Sequence, residues 1–487
     1  MSKSRYTRGL TCLKSLWLVT HHPELREEYD AATQACFRTG HEVGEVAHQL
    51  FPGGTLIPYE NMSYEDQINM TQEAMKTSKV IYEAAFRFDD VFIKADILRK
   101  SRQGWELYEV KSSNDAKDYY QHDVDVQYYV IDGSGIKISK AFIVHLNKEY
   151  VRESDLDIDE LFVAKNVTKV TLERQGQVKK EIARMKRSLR SKEPKIDIGP
   201  QCDNPYKCDF KGHCWQHIPD NSVFDLAGKG VKKFDLYEKG IVKLEDVPLD
   251  ILKGKQRQQA EAALDKKVIV DRKKIREFLD SLHYPLCYLD FETFTSAIPL
   301  YDGLRPYQQV PFQYSLHFQK KKGGKLHHAE FLAQPGVDPR KELLNQLLDD
   351  IPENACILAY NKSFEIDKLK KLAESFPRKK KKIQNIIDNM VDLIEPFRQR
   401  SIYSWKQQGS HSIKKVLPAF VPGMSYEGME IGDGGEAMEA YHEMCALANK
   451  PRKLATLRKA LLEYCKQDTL AMVKLLEILK TKADAVK

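Results

Sequence analysis

Two β-prone segments, residues 92–96 and 108–111, flank a polar turn and predict a β-hairpin, the feature that most constrains how this chain folds. If the turn is centred on residues 102–103, the numbers of paired residues sum to 205, and Asp96 lies directly opposite Glu109. Directly opposed residues of an antiparallel pair hold their Cβ atoms about 4.5–5.5 Å apart. The hairpin therefore predicts two carboxylates side by side.

A lysine joins these carboxylates, because Glu109 and Lys111 are two residues apart on one strand and project from the same face. Two carboxylates this close repel each other unless a cation lies between them, and Mg²⁺ with oxygen ligands is the usual occupant. The Lys111 ammonium would then activate a water or contact a phosphate oxygen. An exposed hairpin with charged side chains is the alternative, and the spacing alone favours that alternative.

The length of 487 residues exceeds what one hydrophobic core serves and predicts two or three domains. No apolar run approaches the length of a membrane span, and Lys14 interrupts the apolar stretch near the N-terminus, which argues against a signal peptide. The odd number of cysteines, nine, favours free thiols in a reducing compartment. We therefore expect a cytoplasmic protein with no membrane association.

The charge distribution favours a polyanionic partner. The net charge is +7, from 77 basic and 70 acidic residues. Basic clusters at residues 184–187 and 378–382 suit nucleic acid better than a membrane surface. Taken singly, each cluster has the simpler interpretation of a solvated helix face or loop.

Apolar spacing in the first 150 residues predicts the order helix, three strands, helix, strand, with the hairpin supplying the second and third strands. A further helix over residues 40–51 carries His48 one turn after Gly44, an arrangement that leaves the imidazole free to enter a site. A histidine in such a position is more often a surface or core residue than a metal ligand.

The order of seven motif residues within residues 1–219 resembles that of the PD-(D/E)XK nucleases of the RecB and CRISPR-associated exonuclease type. These residues are His48, Asp96, Glu109, Val110, Lys111, Gln127 and Tyr128. The resemblance implies metal coordination by His48, Asp96, Glu109 and the Val110 carbonyl. It also implies that Lys111 is the catalytic lysine, and that Gln127 and Tyr128 position either this lysine or DNA.

Three cysteines follow the nuclease-like region with the spacing C-x5-C-x5-C, at Cys202, Cys208 and Cys214. Zinc sites usually use C-x2–4-C spacing, although His213 and His217 keep zinc as an alternative. Three clustered thiolates plus a distant fourth suit an iron–sulfur cluster. The resembled subfamily places one cysteine before the core and three after it, which implies a [4Fe-4S] cluster held by Cys12, Cys202, Cys208 and Cys214. Such a cluster would close a loop of about 190 residues and stabilise the domain.

The second half of the chain carries another series of acidic residues. Residues 284–294 form an apolar strand that ends in D-x-E, so Asp290 and Glu292 share one face. Near the end of the chain, a long predicted helix places Tyr464 and Asp468 on one face at i,i+4 spacing. Either pattern alone is also typical of an ordinary strand end or helix surface.

Together these residues resemble the RNase H-like DEDD exonucleases whose last motif is Tyr-x3-Asp. The resemblance implies that two Mg²⁺ or Mn²⁺ ions are held by Asp290, Glu292, Glu365 and Asp468. It implies that Tyr464 orients the attacking water and that Asn361 contacts nucleic acid. Glu365 departs from the family, which usually has Asp there. The same region also resembles an uncharacterised bacterial domain often found behind RecB-like nucleases.

We therefore expect an α/β protein with a PD-(D/E)XK, restriction-endonuclease-like iron–sulfur domain at residues 1–222. A helical connector at 223–280 and an RNase H-like DEDD exonuclease domain at 281–487 follow. The expected function is metal-dependent hydrolysis of phosphodiesters, with DNA bearing single-stranded ends as substrate and 3′–5′ polarity in the C-terminal domain. The alternatives are an RNA-processing exonuclease and a nucleic-acid-binding scaffold with an inactive site.

Overall fold

The computed structural model describes residues 1–447 and 449–484, and the chain forms two compact units. The first unit comprises Met1–His217 together with Ser296–Gln308. The second comprises Ile218–Thr295 together with the described residues from Gln309 onward. No helix in these described residues is both long and apolar enough to span a membrane. Both units are mixed α/β structures.

A six-stranded mixed sheet whose strand order follows the chain forms the centre of the first unit. Its strands are β1 (Thr55–Leu56), β2 (Val80–Phe88), β3 (Val91–Ser101), β4 (Gly104–Lys111), β5 (Ile138–Leu146) and β6 (Phe162–Asn166). Strands β2, β3 and β4 are antiparallel neighbours, whereas β4 and β5 run parallel. Parallel β4 and β5 need a crossover, which a helix between them provides.

Helices cover both faces of this sheet. They are α1 (Lys3–Thr11), α2 (Leu13–His21), α3 (Ala31–Ala47), α4 (Tyr64–Thr77), α5 (Gln121–Gly133), α6 (Ile158–Leu161), α7 (Thr168–Leu189) and α8 (Lys211–Cys214). Leu107 of β4 packs in the same core as residues of α1, α5 and α7, whereas the next residue, Tyr108, packs with Val43 of α3. This alternation directs Glu109, like Leu107, towards α1 and α5.

The predicted hairpin and its register are present. Ser101 pairs with Gly104 and Ile97 pairs with Tyr108, so the turn is centred on residues 102–103, and Asp96 and Glu109 are the next residues of the two strands after the last pair. Helix α4 begins after Ser63, whose hydroxyl caps it by accepting a hydrogen bond from the Asp66 amide at 3.1 Å.

A five-stranded mixed sheet of order β10-β9-β8-β11-β12 forms the centre of the second unit, beside a small antiparallel β7–β13 pair. The strands of the five-stranded sheet are β8 (Leu286–Phe294), β9 (Val310–Gln319), β10 (Leu326–Leu332), β11 (Cys356–Ala359) and β12 (Met390–Asp392), and those of the small pair are β7 (Val268–Val270) and β13 (Ile402–Ser404). Three strands are antiparallel neighbours, and β8, β11 and β12 are parallel.

The longest helix of this unit packs against β8 and β9, so the helix residues that face the sheet lie over the D-x-E strand. The helices are α9 (Lys233–Tyr237), α10 (Gly254–Leu264), α11 (Arg272–Asp280), α12 (Arg340–Asp350), α13 (Ser363–Ser375), α14 (Lys380–Asp388), α15 (Glu395–Arg398), α16 (Ile413–Phe420), α17 (Gly434–Ala446) and α18 (Pro451–Asp484). Residues 223–280 contain α9–α11, and Leu236 and Ala260 of this segment belong to a small apolar core of its own.

Candidate metal centres and a cysteine cluster

The first candidate site lies where β3 and β4 present Asp96 and Glu109 to α1 and α5. The Val110 amide donates to Asp96 Oδ2 at 2.6 Å, which fixes that carboxylate beside its neighbour. The Glu109 side chain is only 1 % exposed. A buried carboxylate requires compensating partners, and several surround it.

Lys111 and Gln127 are two of these partners. Lys111 Nζ lies 2.7 Å from Glu109 Oε1 and 2.5 Å from Asp123 Oδ2 of α5. Gln127 Nε2 donates to Glu109 Oε2 at 2.5 Å and to the Asp123 carbonyl at 3.1 Å. The structure therefore brings the lysine, the glutamine and both carboxylates of the predicted motif together.

Lys3 is a further partner that the sequence did not reveal. Its Nζ lies 3.0 Å from both Oε1 and Oε2 of Glu109, and 3.8 Å from Asp96 Oδ1. Lys3 and Glu109 are separated by 106 positions, and no local pattern marks a lysine at the first turn of a helix as a site residue. Asp123 was missed for the same reason.

The carboxylates of this site have opposite pKa shifts. Burial and the adjacent charge of Glu109 raise the pKa of Asp96 to about 7. Burial alone would raise the pKa of Glu109 as well, but Lys111 and Lys3 lower it to about 2. Glu109 is thus anionic at neutral pH, whereas Asp96 is only partly ionised there, and added positive charge would favour its ionised form.

His48 and Tyr128 occupy less direct positions. The His48 ring stacks on Tyr82 with 4.0 Å between ring centroids, and burial lowers its pKa, which favours the neutral imidazole that a metal requires. Among the described residues, His48 does not join Asp96 and Glu109 in a group whose ligand atoms lie within 4.8 Å of one another. Tyr128 is 8 % exposed and packs in the core beside α1 and α7.

The second candidate site is a cavity into which four cysteines converge from distant parts of the first unit. Cys12, Cys202, Cys208 and Cys214 all line this cavity, together with Lys14 and apolar residues of the 196–198 segment. All nine cysteines of the chain have free thiols. The cysteines predicted to share one centre are therefore brought together.

The junction between α1 and α2 and a short loop between Cys202 and Cys208 position these thiols. Cys12 separates α1 from α2, and its Sγ accepts a hydrogen bond from the Ser15 amide at 3.5 Å. The Ser15 hydroxyl lies 3.5 Å from Cys208 Sγ. The Cys208 amide donates to the Cys202 carbonyl at 2.8 Å and folds the first C-x5-C loop back on itself.

An ion pair fastens α1 to this cysteine segment. Arg8 donates to the two carboxylate oxygens of Asp209 at 2.6 and 2.9 Å, in the bidentate geometry that makes such pairs strong. Arg8 also donates to the Ser15 hydroxyl at 2.7 Å.

The four cysteine sulfur atoms do not have the spacing of ligands around a single zinc ion. Four thiolates around one zinc ion at about 2.3 Å would lie about 3.8 Å apart. Among the described residues, no three of these cysteines have sulfur atoms within 4.8 Å of one another. Neither His213 nor His217 lines the cavity. Burial raises the pKa of Cys12 and of Cys214, so a bound cation is required to hold these sulfurs as thiolates.

The third candidate site lies in the second unit, where β8 and α18 meet. Ligand atoms of Asp290, Glu292 and Cys465 all lie within 4.8 Å of one another. Cys465 Sγ lies 3.9 Å from Asp290 Oδ2. Phe291, between the two acidic residues, is buried on the opposite face of β8, as the D-x-E alternation predicts.

Helix α18 contributes Asp468 and Tyr464 to this site, both buried. Tyr426, from the loop before α17, donates to Asp468 Oδ1 at 2.6 Å. The Lys414 ammonium lies 6.0 Å from the Tyr426 ring and lowers the pKa of both Asp468 and Glu292. Tyr426 and Lys414 were missed because they lie on loop and helix segments without a recognisable motif.

Glu365 extends the cluster from the first turn of α13. It is 2 % exposed, and its Oε2 atom has no hydrogen-bond partner in the described structure. An unpartnered buried carboxylate oxygen is costly unless a ligand satisfies it. Asn361, two residues before α13, is exposed and has a left-handed backbone with φ +75°.

The four carboxyls of this site, Asp290, Glu292, Glu365 and Asp468, all have raised pKa values. Burial, followed by the charges of Asp468 and Glu292, raises the pKa of Asp290 well above its ordinary value. Burial and Asp468 raise that of Glu292. Burial raises the pKa of Asp468 to about 6 and that of Glu365 to about 8. Such a cluster is stable either when partly protonated or when divalent cations neutralise it.

Comparisons with known proteins give relatives but no activity. Residues 287–412 match a family described as "Domain of unknown function (DUF2779)". That stretch contains Asp290, Glu292 and Glu365 and ends before α18.

Three curated relatives carry equally uninformative names. The chain is 26 % identical over 288 residues to "Uncharacterized protein MG366 homolog" of Mycoplasma pneumoniae, covering 52 % of this chain and 43 % of the relative. It is 27 % identical over 220 residues to "Uncharacterized protein MG366" of Mycoplasma genitalium, covering 41 % and 32 % respectively. It is 29 % identical over 170 residues to "Uncharacterized protein UU173" of Ureaplasma parvum, covering 30 % and 24 %. The matched regions thus span less than half the length of each relative.

Proposed function

We propose that this protein is a metal-dependent nuclease with two phosphodiester-hydrolysing sites, one in each unit. The proposed substrate is DNA with single-stranded ends, and the second unit acts as a 3′–5′ exonuclease. We place the protein in the cytoplasm, in accord with its free cysteines.

The observation that carries the proposal is the cluster of Asp290, Glu292, Glu365 and Asp468. Glu292, Glu365 and Asp468 are buried and Asp290 is half-buried. Burial, and then the charges of Asp468 and Glu365, raise the pKa of both Asp290 and Glu292, and Glu365 Oε2 has no hydrogen-bond partner in the described structure. Four carboxylates with this much charge suit Mg²⁺ or Mn²⁺, and burial raises the pKa of the adjacent Cys465 thiol, which disfavours its thiolate as a ligand. When bound, two such ions stabilise the attacking and leaving oxygens of a phosphodiester.

The residues around these carboxylates have distinct roles in the proposed reaction. Tyr464, buried on the same helix face as Asp468, orients the attacking water. Tyr426 keeps Asp468 ionised, because its hydroxyl donates to that carboxylate. Asn361 lies at the exposed entrance to α13, where it would contact the nucleic-acid strand.

The first unit supplies a second set of groups. Asp96 and Glu109, with the Val110 carbonyl and His48, would hold the ion of this site. Lys111 is charged, because burial alone would lower its pKa but Glu109 and Asp123 raise it. The charged ammonium is suited to stabilise negative charge on a phosphate oxygen. Gln127 and Asp123 of α5 contact Glu109 and Lys111 and fix their rotamers. Tyr128, on the same helix, packs in the core and holds α5 in place.

The cysteine cavity is proposed to hold a [4Fe-4S] cluster with a structural role. A cluster bound by Cys12 and the three later cysteines ties the N-terminal helices to the end of the first unit. Iron-dependent absorbance after anaerobic purification supports this assignment, and colourless protein with stoichiometric zinc refutes it.

The proposal is tested with single-stranded DNA labelled at either end, using wild type, Lys111→Ala, Asp290→Asn and the double variant. We expect each single variant to lose one pattern of products and the double variant to lose all cleavage. Glu374→Gln, an exposed carboxylate on the same helix as Glu365, is the matched control and should cleave normally.

Three outcomes separate the alternatives. Undiminished cleavage by the double variant refutes both sites. Preference for a matched RNA oligonucleotide assigns the activity to RNA processing. Tight, salt-dependent binding with no product in Mg²⁺ or Mn²⁺ identifies a nucleic-acid-binding scaffold.

A further inference from the structure

The Lys3 ammonium occupies the space between the two carboxylates of the first unit. It contacts both oxygens of Glu109 at 3.0 Å and lies 3.8 Å from Asp96 Oδ1. A divalent ion bridging Asp96 and Glu109 requires these same oxygens. The ammonium and the ion therefore compete for one position.

The location of Lys3 is unfavourable unless the carboxylates compensate it. Lys3 is the first residue of α1, and a cation at a helix N-terminus is opposed by the helix dipole. Its side chain is 26 % exposed, so it is not a freely solvated surface lysine. The contacts with Glu109 and Asp96 offset both costs.

Helix α1 is also held firmly along its length, so Lys3 is directed into the site. Tyr6 is buried in the core of the unit. Gly9 approaches α7 so closely that a Cβ there would lie 2.7 Å from Met185 Sδ. Arg8 binds Asp209, and Cys12 at the end of the helix lines the cysteine cavity.

We propose that Lys3 is a positioning residue that acts as an internal counter-ion: it holds Asp96 and Glu109 together in the metal-free protein and must leave them when the divalent ion binds. The inference rests on the proposed metal site of the first unit. Lys3 thereby weakens metal binding at this site, and it keeps the two carboxylates in place while no divalent ion is bound. Lys111, which also contacts Asp123, remains beside Glu109 when Lys3 leaves.

The test is a titration of the full chain with Mn²⁺, followed by electron paramagnetic resonance, in an Asp290→Asn, Asp468→Asn background that removes the site of the second unit. We expect Lys3→Met to bind Mn²⁺ at least about tenfold more tightly, because the competing charge is removed. Lys3→Arg, which keeps the charge, should bind as weakly as the unsubstituted chain. Arg5→Met, which removes an exposed cation from the same helix, is the control and should also bind weakly.

A second measurement on the unsubstituted lysine does not depend on the folding of any Lys3 variant. In the same background, Lys3 should resist an amine-acylating reagent without metal and become reactive when Mn²⁺ saturates the site, as measured by mass spectrometry. Equal Mn²⁺ affinity with and without Lys3, or acylation that Mn²⁺ leaves unchanged, overturns the inference while leaving the metal site intact. Absence of Mn²⁺ binding in every variant refutes the metal site itself, and the inference with it.

Discussion

At the scale of single residues, Glu365 is a buried carboxyl whose proton affinity is changed by its surroundings. Burial raises its pKa from 4.5 to about 8, with a smaller contribution from Asp392. The folded protein therefore retains this proton at a pH where the unfolded chain has lost it. By linkage, the metal-free protein loses stability as pH rises from about 4.5 to about 8, at up to about 1.4 kcal/mol per pH unit for this group.

We expect the unfolding temperature of the metal-free protein to fall across this pH range and Mg²⁺ to restore it at pH 8. Glu365→Gln should make the pH dependence less steep and reduce the restoration, because the neutral amide neither titrates nor attracts the cation, whereas the other raised carboxyls of the site still titrate. Differential scanning fluorimetry at pH 5, 6.5 and 8 measures both effects. Glu374→Gln should behave as wild type. If the unfolding temperature of Glu365→Gln fell with pH as steeply as that of wild type, the raised pKa of Glu365 would be contradicted.

We expect replacement of Tyr426 to change how Mn²⁺ binding at this site depends on pH. Its hydroxyl donates to Asp468 and lowers the pKa of that carboxyl, which burial raises to about 6. A hydrogen bond to a charged group is worth about 1.5–3 kcal/mol. Tyr426→Phe should therefore weaken Mn²⁺ binding by about tenfold at pH 6.5 and by much less at pH 8.5, as measured by titration calorimetry. Equal weakening at both pH values would show that the hydroxyl does not act through ionisation of Asp468.

The site residues that could be identified from the sequence are those that share a face of one strand or one helix, because the period of that element relates their positions. Strand alternation joined Glu109 to Lys111, and helical spacing joined Tyr464 to Asp468. Lys3 and Tyr426 escaped notice because their partners lie 106 and 42 positions away. A tertiary contact of that kind leaves no periodic trace in a single sequence.

At the scale of elements, α1 links two of the candidate sites, with Lys3 at its start and Cys12 just after its end. The break at Cys12 was not predicted, since residues 8–17 have continuous helical composition. The cysteine side chain caps the next helix instead, an interaction that competes with helix continuation.

Replacement of Cys12 should therefore loosen α1 at the cysteine end. We expect Cys12→Ser to lose bound iron and to increase acylation of Lys3 in the metal-free protein, measured by iron analysis and mass spectrometry. Cys36→Ser, at an exposed thiol of α3, is the matched control and should change neither quantity. Loss of iron with Lys3 still protected would show that α1 is held by Arg8 and Tyr6 alone.

The strands and helices that were predicted are those with strong apolar patterns. The β3–β4 register followed from a two-residue turn, and α18 followed from a long amphipathic pattern. The segment 223–280 was less informative, because short helices with a small core lack a repeating pattern.

At the scale of the whole molecule, the connection between β8 and β9 is unusual. These adjacent strands of the second unit are joined through Ser296–Gln308, which belongs to the first unit. In this segment the Tyr307 hydroxyl donates to the carbonyl of Ser112, the residue after Lys111. Nothing in the sequence distinguishes such an excursion from an ordinary loop.

Tyr307 therefore predicts an effect on the first site. In an Asp290→Asn background, Tyr307→Phe should reduce cleavage about fivefold, because loss of a half-buried hydrogen bond of about 1 kcal/mol relaxes the backbone beside Lys111. End-labelled cleavage assays measure this rate. Tyr59→Phe, at an exposed tyrosine, should have no effect.

The same excursion has a consequence for a chain severed between residues 217 and 218. The carboxyl-terminal fragment would retain Ser296–Gln308, whose backbone carbonyls at Pro299 and Leu300 accept hydrogen bonds from Arg152 at 2.9 and 3.0 Å. The two fragments would thus complement each other like the halves of a split reporter. Co-expressed as separate polypeptides, they should co-purify through a tag on either one, and Arg152→Ala should weaken their association.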